Sequence, residues 1–231
     1  MSFSEAILER KRAGFRPVIP DLKARSPKEG DLFAGRSAIS IALRLKNAGA
    51  PALSVVTETK YFGGSIKTLS RVAAATGLPV LRKDFLSEIH DLEETRAAGA
   101  SAVLLICRML TPQKLRELFK AAYDLGLEAL VETCSVPELT MARELNAPLV
   151  GINNRNILAL ERDSGGVERT CRLIPINFSP KVMISESGIG TPADVQRVLV
   201  SGATAALIGT ALLRASDPAE FYKKLSGMEE S

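Results

Sequence analysis

The chain has 231 residues, of which 46% are hydrophobic, 24% charged and 5% aromatic, and its formal net charge is +4. This length and composition allow a sizeable core, and the longest apolar runs are far shorter than the roughly 20 residues of a membrane-spanning helix. The basic residues are scattered, and aromatic residues do not alternate with them as they do in nucleic-acid surfaces. We therefore expect an anionic small molecule as the partner, with no nucleic acid and no membrane.

Cysteine and histidine usage argues against a disulfide framework and against a metal site. Cys107, Cys134 and Cys171 are odd in number and far apart in sequence. The single histidine, His90, has no cysteine or histidine at ligand spacing, so a position on a helix surface is the simpler interpretation. The composition fits a reducing cytoplasm and predicts neither a metal nor a His-based triad.

The chain begins with a segment that mixes acidic, basic and apolar residues and has no apolar core of a signal peptide. It predicts a short amphipathic helix within an N-terminal extension of residues 1–17. Eight short β-rich runs then follow in chain order: Val18–Lys23, Leu53–Glu58, Val80–Phe85, Ala102–Arg108, Glu128–Thr133, Leu149–Asn154, Lys181–Ser187 and Ala205–Thr210.

Segments with helical periodicity separate these runs. Examples are Ser37–Ala48, Glu88–Ala98, Pro112–Asp124 and Pro192–Val200. Several are closed by a glycine, the residue that most often ends a helix: Gly49, Gly77, Gly99, Gly126 and Gly202. Eight strand–helix units without a linker predict a single (β/α)8 barrel, the TIM barrel, over residues 1–231.

In such a barrel the functional groups gather where the strands end. The first run places Asp21 and Lys23 two residues apart, and therefore on one face of a strand. Unlike charges at the end of an apolar strand indicate a pocket, because burying them unused is costly. Further side chains at strand ends are Lys83 and Phe85, Leu104 and Ile106, Glu132, and Asn153 and Arg155.

Two glycine-bearing turns follow the last two strands, Ser187-Gly188-Ile189-Gly190 and Ile208-Gly209-Thr210. A turn of this kind after either strand would be weak evidence, because glycine is common there for conformational reasons. Together, at the last two strands of a barrel, they predict a phosphate site formed by backbone amides.

Several segments resemble blocks of the indole-3-glycerol-phosphate synthase family, in order, from about Val18 to Leu213. They are Lys23-Ala24-Arg25-Ser26-Pro27, Thr57 to Ser65, Leu81-Arg82-Lys83-Asp84-Phe85, Val131-Glu132, Gly151-Ile152-Asn153-Asn154-Arg155, Ser185 to Ile189, and Leu207-Ile208-Gly209-Thr210. The resemblance implies a cofactor-free lyase of tryptophan biosynthesis. Its reaction converts 1-(2-carboxyphenylamino)-1-deoxyribulose 5-phosphate to indole-3-glycerol phosphate, carbon dioxide and water.

The resemblance also implies roles for individual residues. Lys83 corresponds to the general acid and Glu132 to its partner in the dehydration, while Lys23 and Ser26 would hold the anthranilate carboxylate. Asn153 and Arg155 would orient the intermediate. The aromatic ring would lie against Phe62, Phe85, Leu104, Ile106 and Ile157, and the phosphate would bind at Ser187, Gly188, Gly209 and Thr210.

Two features differ from the family pattern. Asp21 stands where the family carries a glutamate that hydrogen-bonds the reacting hydroxyl and the anilino nitrogen, so its reach is shorter by about 1.5 Å. The family also carries a longer N-terminal helical extension over the active site, and Ser4–Ala13 is expected to supply part of that cover.

Two other classes of function remain open. A related barrel lyase or isomerase on another phosphorylated sugar derivative would keep Lys83, Glu132 and the phosphate turns. A non-catalytic protein that binds a phosphorylated ligand could instead serve other tryptophan-pathway enzymes as a partner. The joint presence of Lys83, Glu132, Asn153 and Arg155 argues against the inactive alternative, because binding alone needs no acid and base.

Overall fold

The computed structural model describes residues 1–160, 165–174 and 178–228, and the rest of the predicted 1–231 domain lies outside these ranges. The elements in chain order are α1 (Phe3–Arg12), β1 (Val18–Leu22), β2 (Arg25–Ser26), β3 (Gly30–Asp31), α2 (Ala38–Asn47), β4 (Leu53–Val56), α3 (Ile66–Thr76), β5 (Val80–Lys83), α4 (Ile89–Ala97), β6 (Ala102–Ile106), α5 (Pro112–Asp124), β7 (Glu128–Thr133), α6 (Val136–Glu144), β8 (Leu149–Asn153), α7 (Glu168–Leu173), β9 (Val182–Glu186), α8 (Pro192–Val200), β10 (Ala205–Ile208), α9 (Thr210–Arg214) and α10 (Pro218–Ser226). Short 3-10 turns cover Cys107–Met109 and Ile157–Ala159.

Eight strands form a closed barrel in the order β1-β4-β5-β6-β7-β8-β9-β10, with β10 paired to β1, and all neighbours are parallel. The predicted (β/α)8 barrel is therefore confirmed. The remaining two strands, β2 and β3, form a small antiparallel hairpin in the loop after β1. None of the helices in the described ranges is long and apolar enough to cross a membrane.

The predicted elements agree with the structure to within a few residues. β7, α5 and α8 have the predicted bounds, whereas β1, β4, β5, β6 and β10 end one or two residues before the predicted ends. The five predicted helix-ending glycines all have a positive φ. His90 is exposed on α4 beside Glu93, which confirms its predicted surface position.

The helices cover the outside of the barrel, and the interior has its own core. Large apolar side chains from alternate strand positions fill it, including Ile19, Leu81, Leu104, Leu130 and Ile184. Strand alternation explains this arrangement, because every second residue of each strand points inward. In several strands the last inward-facing residue lies at the carboxyl end of the strand, where the following helix begins.

The expected placement of the N-terminal helix over the active site is wrong. Phe3 and Ile7 of α1 are fully buried against residues that begin the barrel strands, such as Ala52. Ser4 donates from its backbone N–H and its hydroxyl to the carboxylate of Glu128, the first residue of β7, at 2.8 and 2.5 Å. Helix α1 therefore closes the end of the barrel at which the strands begin, which we call the base. The carboxyl ends of the strands form the opposite end, which we call the mouth.

Candidate active site

The centre of the site is a buried lysine between two buried carboxyl groups. Lys83 ends β5, and its Nζ lies 3.4 Å from Glu132 Oε2 and 3.3 Å from Glu186 Oε2. These three side chains are 8%, 2% and 0% exposed, respectively. Lys83 and Glu132 thus meet as the sequence predicts, and Glu186 joins them from β9.

Glu186 reaches this position because the neighbouring strand β8 carries a glycine, Gly151, beside the carboxyl group. A Cβ at Gly151 would lie 2.0 Å from Glu186 Oε1, so any larger residue there would displace the carboxyl group. Burial raises the pKa of Glu186 to about 8; Lys83 opposes this rise, and Glu132 and Asp21 add to it. The raised pKa favours the protonated carboxyl group, and neither of its oxygens has a hydrogen-bond partner among the described residues.

Asp21 lies near this cluster, in the inward row of β1. It is 3% exposed, and its Oδ1 accepts a 2.6 Å hydrogen bond from the hydroxyl of Ser54 on β4. The register of the two strands sets this contact, because Asp21 and Ser54 are paired positions. The structure thus gives the shorter aspartate a partner that the sequence alone did not reveal.

An apolar recess adjoins Lys83 at the mouth of the barrel. We call it the ring recess; it is lined by Asp21, Lys23, Val56, Glu58, Phe62, Lys83, Asp84, Phe85, Leu104, Ile106 and Ile157. The rings of Phe62 and Phe85 meet edge to face with their centroids 6.4 Å apart, and Lys23 Nζ lies 5.8 Å from the Phe62 centroid. All five predicted wall residues therefore come together here.

The loop after β4 holds Phe62 in place through a carboxylate. Glu58 Oε2 accepts hydrogen bonds from the backbone N–H groups of Tyr61 and Phe62 at 2.7 and 3.0 Å. The contacts show that Glu58 stabilises its own loop through backbone amides.

Asn153 and Arg155 extend from the end of β8 toward the same mouth. Asn153 is 1% exposed, and its Nδ2 has no hydrogen-bond partner among the described residues. Its Oδ1 accepts the backbone N–H of Arg155 at 2.9 Å. A buried amide donor of this kind is costly unless a ligand satisfies it, so Asn153 is a candidate substrate contact.

A second cavity of about 300 Å³ lies beside the ring recess. We call it the glycine recess; it is lined by Asp21, Lys23, Ser26, Lys28, Glu29, Lys83, Arg155, Ser187 to Gly190, Leu207 to Ala211, and Arg214. Ser26 and all four predicted phosphate residues therefore line one cavity. Asp21, Lys23 and Lys83 line both recesses, so one extended ligand could occupy the two.

The two turns of the glycine recess differ in how their helices begin. Thr191 and Asp194 of α8 form a capping box, and Asp194 also accepts the backbone N–H of Gly190 at 3.0 Å. The carboxylate of Asp194 therefore occupies the amides of Gly190 and Thr191 just before α8, and the Thr191 hydroxyl occupies the amide of Asp194 in its first turn. Helix α9 begins after Gly209 and has no side-chain cap. No capping side chain therefore competes with a ligand for its first N–H groups.

Sequence reasoning missed several residues of this region. Glu186 is not among the predicted site residues, although it follows four apolar or small residues and ends a strand. Ser54 gave no signal, since a serine in a buried strand is common. Lys28 and Arg214 add positive charge to the glycine recess, but both come from loops or helix ends with no distinctive pattern.

A larger cavity than either recess lies elsewhere. A recess of about 920 Å³ at the base is lined mainly by small residues of α1, α3 and the helix-ending turns, among them Ala6, Ala73 and Gly77. Its charged side chains, Glu9 and Arg10, belong to α1 and do not form a buried acid–base group. Size alone would select this recess, whereas the buried lysine and carboxyl groups select the mouth.

The fold and the site together define a (β/α)8-barrel enzyme with its reactive groups at the carboxyl ends of the strands. A family model described as indole-3-glycerol phosphate synthase matches residues 1–225. A protein of that description from Thermococcus kodakarensis is 44% identical over 95% of this chain and 96% of its own length. The chain belongs to the indole-3-glycerol phosphate synthase family.

Further relatives agree, and they differ in length. A protein of the same description from Pyrococcus furiosus is 45% identical over 96% of this chain and 95% of its own length. One from Nocardioides is 42% identical over 94% of this chain but 83% of its own length. The 3-hexulose-6-phosphate synthase of Salmonella typhimurium matches 92% of this chain and 97% of its own with a TM-score of 0.71 at 14% identity, which supports the fold alone.

Proposed function

We propose that this protein converts 1-(2-carboxyphenylamino)-1-deoxyribulose 5-phosphate to indole-3-glycerol phosphate, carbon dioxide and water, as a cofactor-free step of tryptophan biosynthesis. The observation that carries the proposal is Lys83, buried against Glu132 and Glu186 at the wall of an apolar recess. Membership of the family supports the same reaction.

In the first half of the reaction Lys83 acts as the general acid. Its ammonium group donates a proton to the C2′ carbonyl oxygen while the ring carbon that bears the carboxylate attacks C2′. A carbon–carbon bond forms and the carbonyl oxygen becomes a hydroxyl. The carboxylate then leaves as carbon dioxide, and the electrons of the broken bond return to the ring.

In the second half the hydroxyl leaves as water. Lys83 first regains a proton from solvent, the one proton that the overall reaction consumes. Glu132 then accepts a proton from the ring methylene, the new carbon–carbon double bond completes the pyrrole ring, and Lys83 donates its proton to the departing hydroxyl. Transfer of the proton from Glu132 to Lys83 restores the starting state. The 3.4 Å contact between Lys83 and Glu132 suits this pairing, because it allows a proton to pass between the acid and the base.

The remaining residues, most of which line the two recesses, bind and orient the substrate. Lys23 and Ser26 hold the anthranilate carboxylate, and the ring lies against Phe62, Phe85, Leu104, Ile106 and Ile157. Asp21 accepts from the reacting hydroxyl and the anilino nitrogen. Asn153 and Arg155 orient the intermediate, and the phosphate binds at Ser187, Gly188, Gly209 and Thr210.

The test is a fluorescence assay for the indole product on the wild-type chain and on Lys83→Ala. We expect a loss of about 100- to 10,000-fold in kcat for Lys83→Ala, the usual contribution of general acid–base catalysis. Lys67→Ala, which truncates an exposed lysine of α3, is the matched control and should retain activity. Well-folded wild-type protein that forms no product at high substrate would contradict the proposed function.

A further inference from the structure

Asn154 lies between two proposed catalytic residues but faces the other way. It is 6% exposed, and its Nδ2 contacts Ser185 Oγ at 3.1 Å and the carbonyl oxygens of Glu186 and Ser187 at 3.0 Å each. Its Oδ1 accepts the backbone N–H of Thr170 on α7 at 3.0 Å. Because the amide nitrogen meets three oxygens and the amide oxygen meets a donor, the partners fix the orientation of the group.

The carbonyl of Ser187 belongs to an unusual turn. Ser187 has φ +62° and Gly188 has φ +70°, so two consecutive residues adopt the left-handed conformation. Glycine takes this conformation readily, whereas serine does so at a cost, and such strain persists only where surrounding contacts hold it. Asn154 supplies such a contact through its hydrogen bond to the Ser187 carbonyl.

The turn is also confined on its other side. A Cβ added at Gly188 would lie 2.6 Å from the carbonyl oxygen of Gly166, which precedes α7. The peptide between Ser187 and Gly188 is therefore held between Asn154 and the segment before α7. Its orientation decides where the amide of Gly188 points within the glycine recess.

We propose that Asn154 is a positioning residue that holds the Ser187–Gly188 turn in its left-handed form and thereby shapes the phosphate site. The inference rests on the proposed function, because it assigns Asn154 to the phosphate end of the same substrate. Asn154 touches no substrate atom and acts through the Ser187 carbonyl. It links the strand that carries Asn153 and Arg155 to the turn that binds the phosphate.

The neighbouring catalytic residues have separate support. Arg169 on α7 donates to the carbonyl oxygens of Asn153 and Arg155 at 2.7 and 3.0 Å. The backbone N–H of Asn154 donates to the Glu186 carbonyl at 2.8 Å and stays in place when the side chain is removed. Truncation of Asn154 should therefore change phosphate binding more than the chemical step.

The experiment compares wild-type protein with Asn154→Ala and Asn154→Ser, using inorganic phosphate as the probe and calorimetry as the readout. Serine keeps a polar group at the position, but its hydroxyl is too short to reach the Ser187 carbonyl. We expect the phosphate Kd to rise about tenfold in both variants, the order of the strain and hydrogen-bond terms. The KM of the phosphorylated substrate should rise by a similar factor, while kcat changes less than about twofold.

Two control variants separate positioning from general destabilisation. Thr170→Val removes the contact between the Thr170 and Ser185 hydroxyls, 2.8 Å apart, and lowers the melting temperature without touching Ser187. Asn47→Ala truncates an exposed asparagine at the end of α2. Both should bind phosphate as the wild type does.

A second-site change tests the strain itself. In a Ser187→Gly background the left-handed turn no longer needs support, so the effect of Asn154→Ala on the phosphate Kd should shrink to less than about threefold. An equal effect in both backgrounds would exclude the strain mechanism. An unchanged phosphate Kd in folded Asn154→Ala and Asn154→Ser, or a fall in kcat with KM unchanged, would overturn the proposal.

The readouts also distinguish this inference from the proposed function. Wild-type protein that binds phosphate but forms no indole product would contradict the reaction and still allow the Asn154 comparison. Activity in the wild type, together with an unchanged KM and an unchanged phosphate Kd in Asn154→Ala, would contradict the inference alone. Wild-type protein that binds no inorganic phosphate would contradict the assignment of Asn154 to a phosphate site.

Discussion

The base and the mouth of the barrel use the same eight strands in opposite ways. At the base, Phe3 and Ile7 of α1 pack where the strands begin, and Ser4 donates two hydrogen bonds to the carboxylate of Glu128. At the mouth, Asn153 Nδ2 and Glu186 Oε1 are buried without a hydrogen-bond partner among the described residues, and Ser187 has a positive φ. The base is built for stability, whereas the mouth keeps costly features that a ligand can use.

The contrast is not complete. Arg10 Nε of α1 is also buried without a hydrogen-bond partner in the described part of the chain. Its guanidinium lies over the ring of Phe15 at 3.9 Å, a contact that offsets part of this cost. The unpartnered groups of the mouth have a different setting, since Glu186 lies against Lys83 and Asn153 ends the neighbouring strand β8.

Glu132→Gln should give the largest change and should affect the mouth alone. The amide keeps the shape of the side chain but cannot accept the proton during dehydration, so kcat should fall by about 100- to 10,000-fold. The measurement is steady-state turnover together with the melting temperature. A variant with wild-type kcat would show that Glu132 takes no part in the chemistry. Glu128→Gln at the base is the matched control and should keep the wild-type kcat.

Phe3→Ala should give the complementary result at the base. Phe3 is fully buried in the interior core, and truncation of a buried phenylalanine typically costs about 3–5 kcal/mol of stability. Urea unfolding should show this loss, while kcat measured well below the melting temperature stays close to wild type. A large fall in kcat of the folded variant would mean that the two ends are coupled.

The same contrast explains how far the sequence alone could lead. Strand–helix alternation and the glycines after the helices were sufficient for the barrel, because they are local patterns. Lys83, Glu132 and Asn153 were predicted from polar residues that end apolar strands. Several strands were predicted too long, since residues such as Phe85 continue the pattern after the ladder has ended.

Contacts across the barrel were beyond local patterns. The bond from Ser54 to Asp21 depends on the register of β1 and β4, and the space for Glu186 depends on Gly151 in the neighbouring strand. The place of α1 could not be read from its amphipathic pattern, because that pattern shows which face is buried but not which end of the barrel buries it. The hairpin of β2 and β3 is too short to give an alternating pattern.

Glu186→Gln should sharpen the comparison through pH. Burial raises the pKa of Glu186 to about 8 from its ordinary value of 4.5, so the native state binds more protons than the unfolded state between these values. The contribution of Glu186 to stability is therefore fully present below about pH 4.5 and is lost as the pH rises toward 8.

Glu186→Gln removes this titration. The stability of the variant relative to wild type should increase with pH by up to about 1.4 kcal/mol per unit across that window and level off above it. Urea unfolding at several pH values measures the difference, and Glu144→Gln, at an exposed position on α6, should show no such trend. If the difference for Glu186→Gln is also flat, the buried carboxyl group does not destabilise the mouth. The contrast between the two ends would then rest on Asn153 and the Ser187 turn.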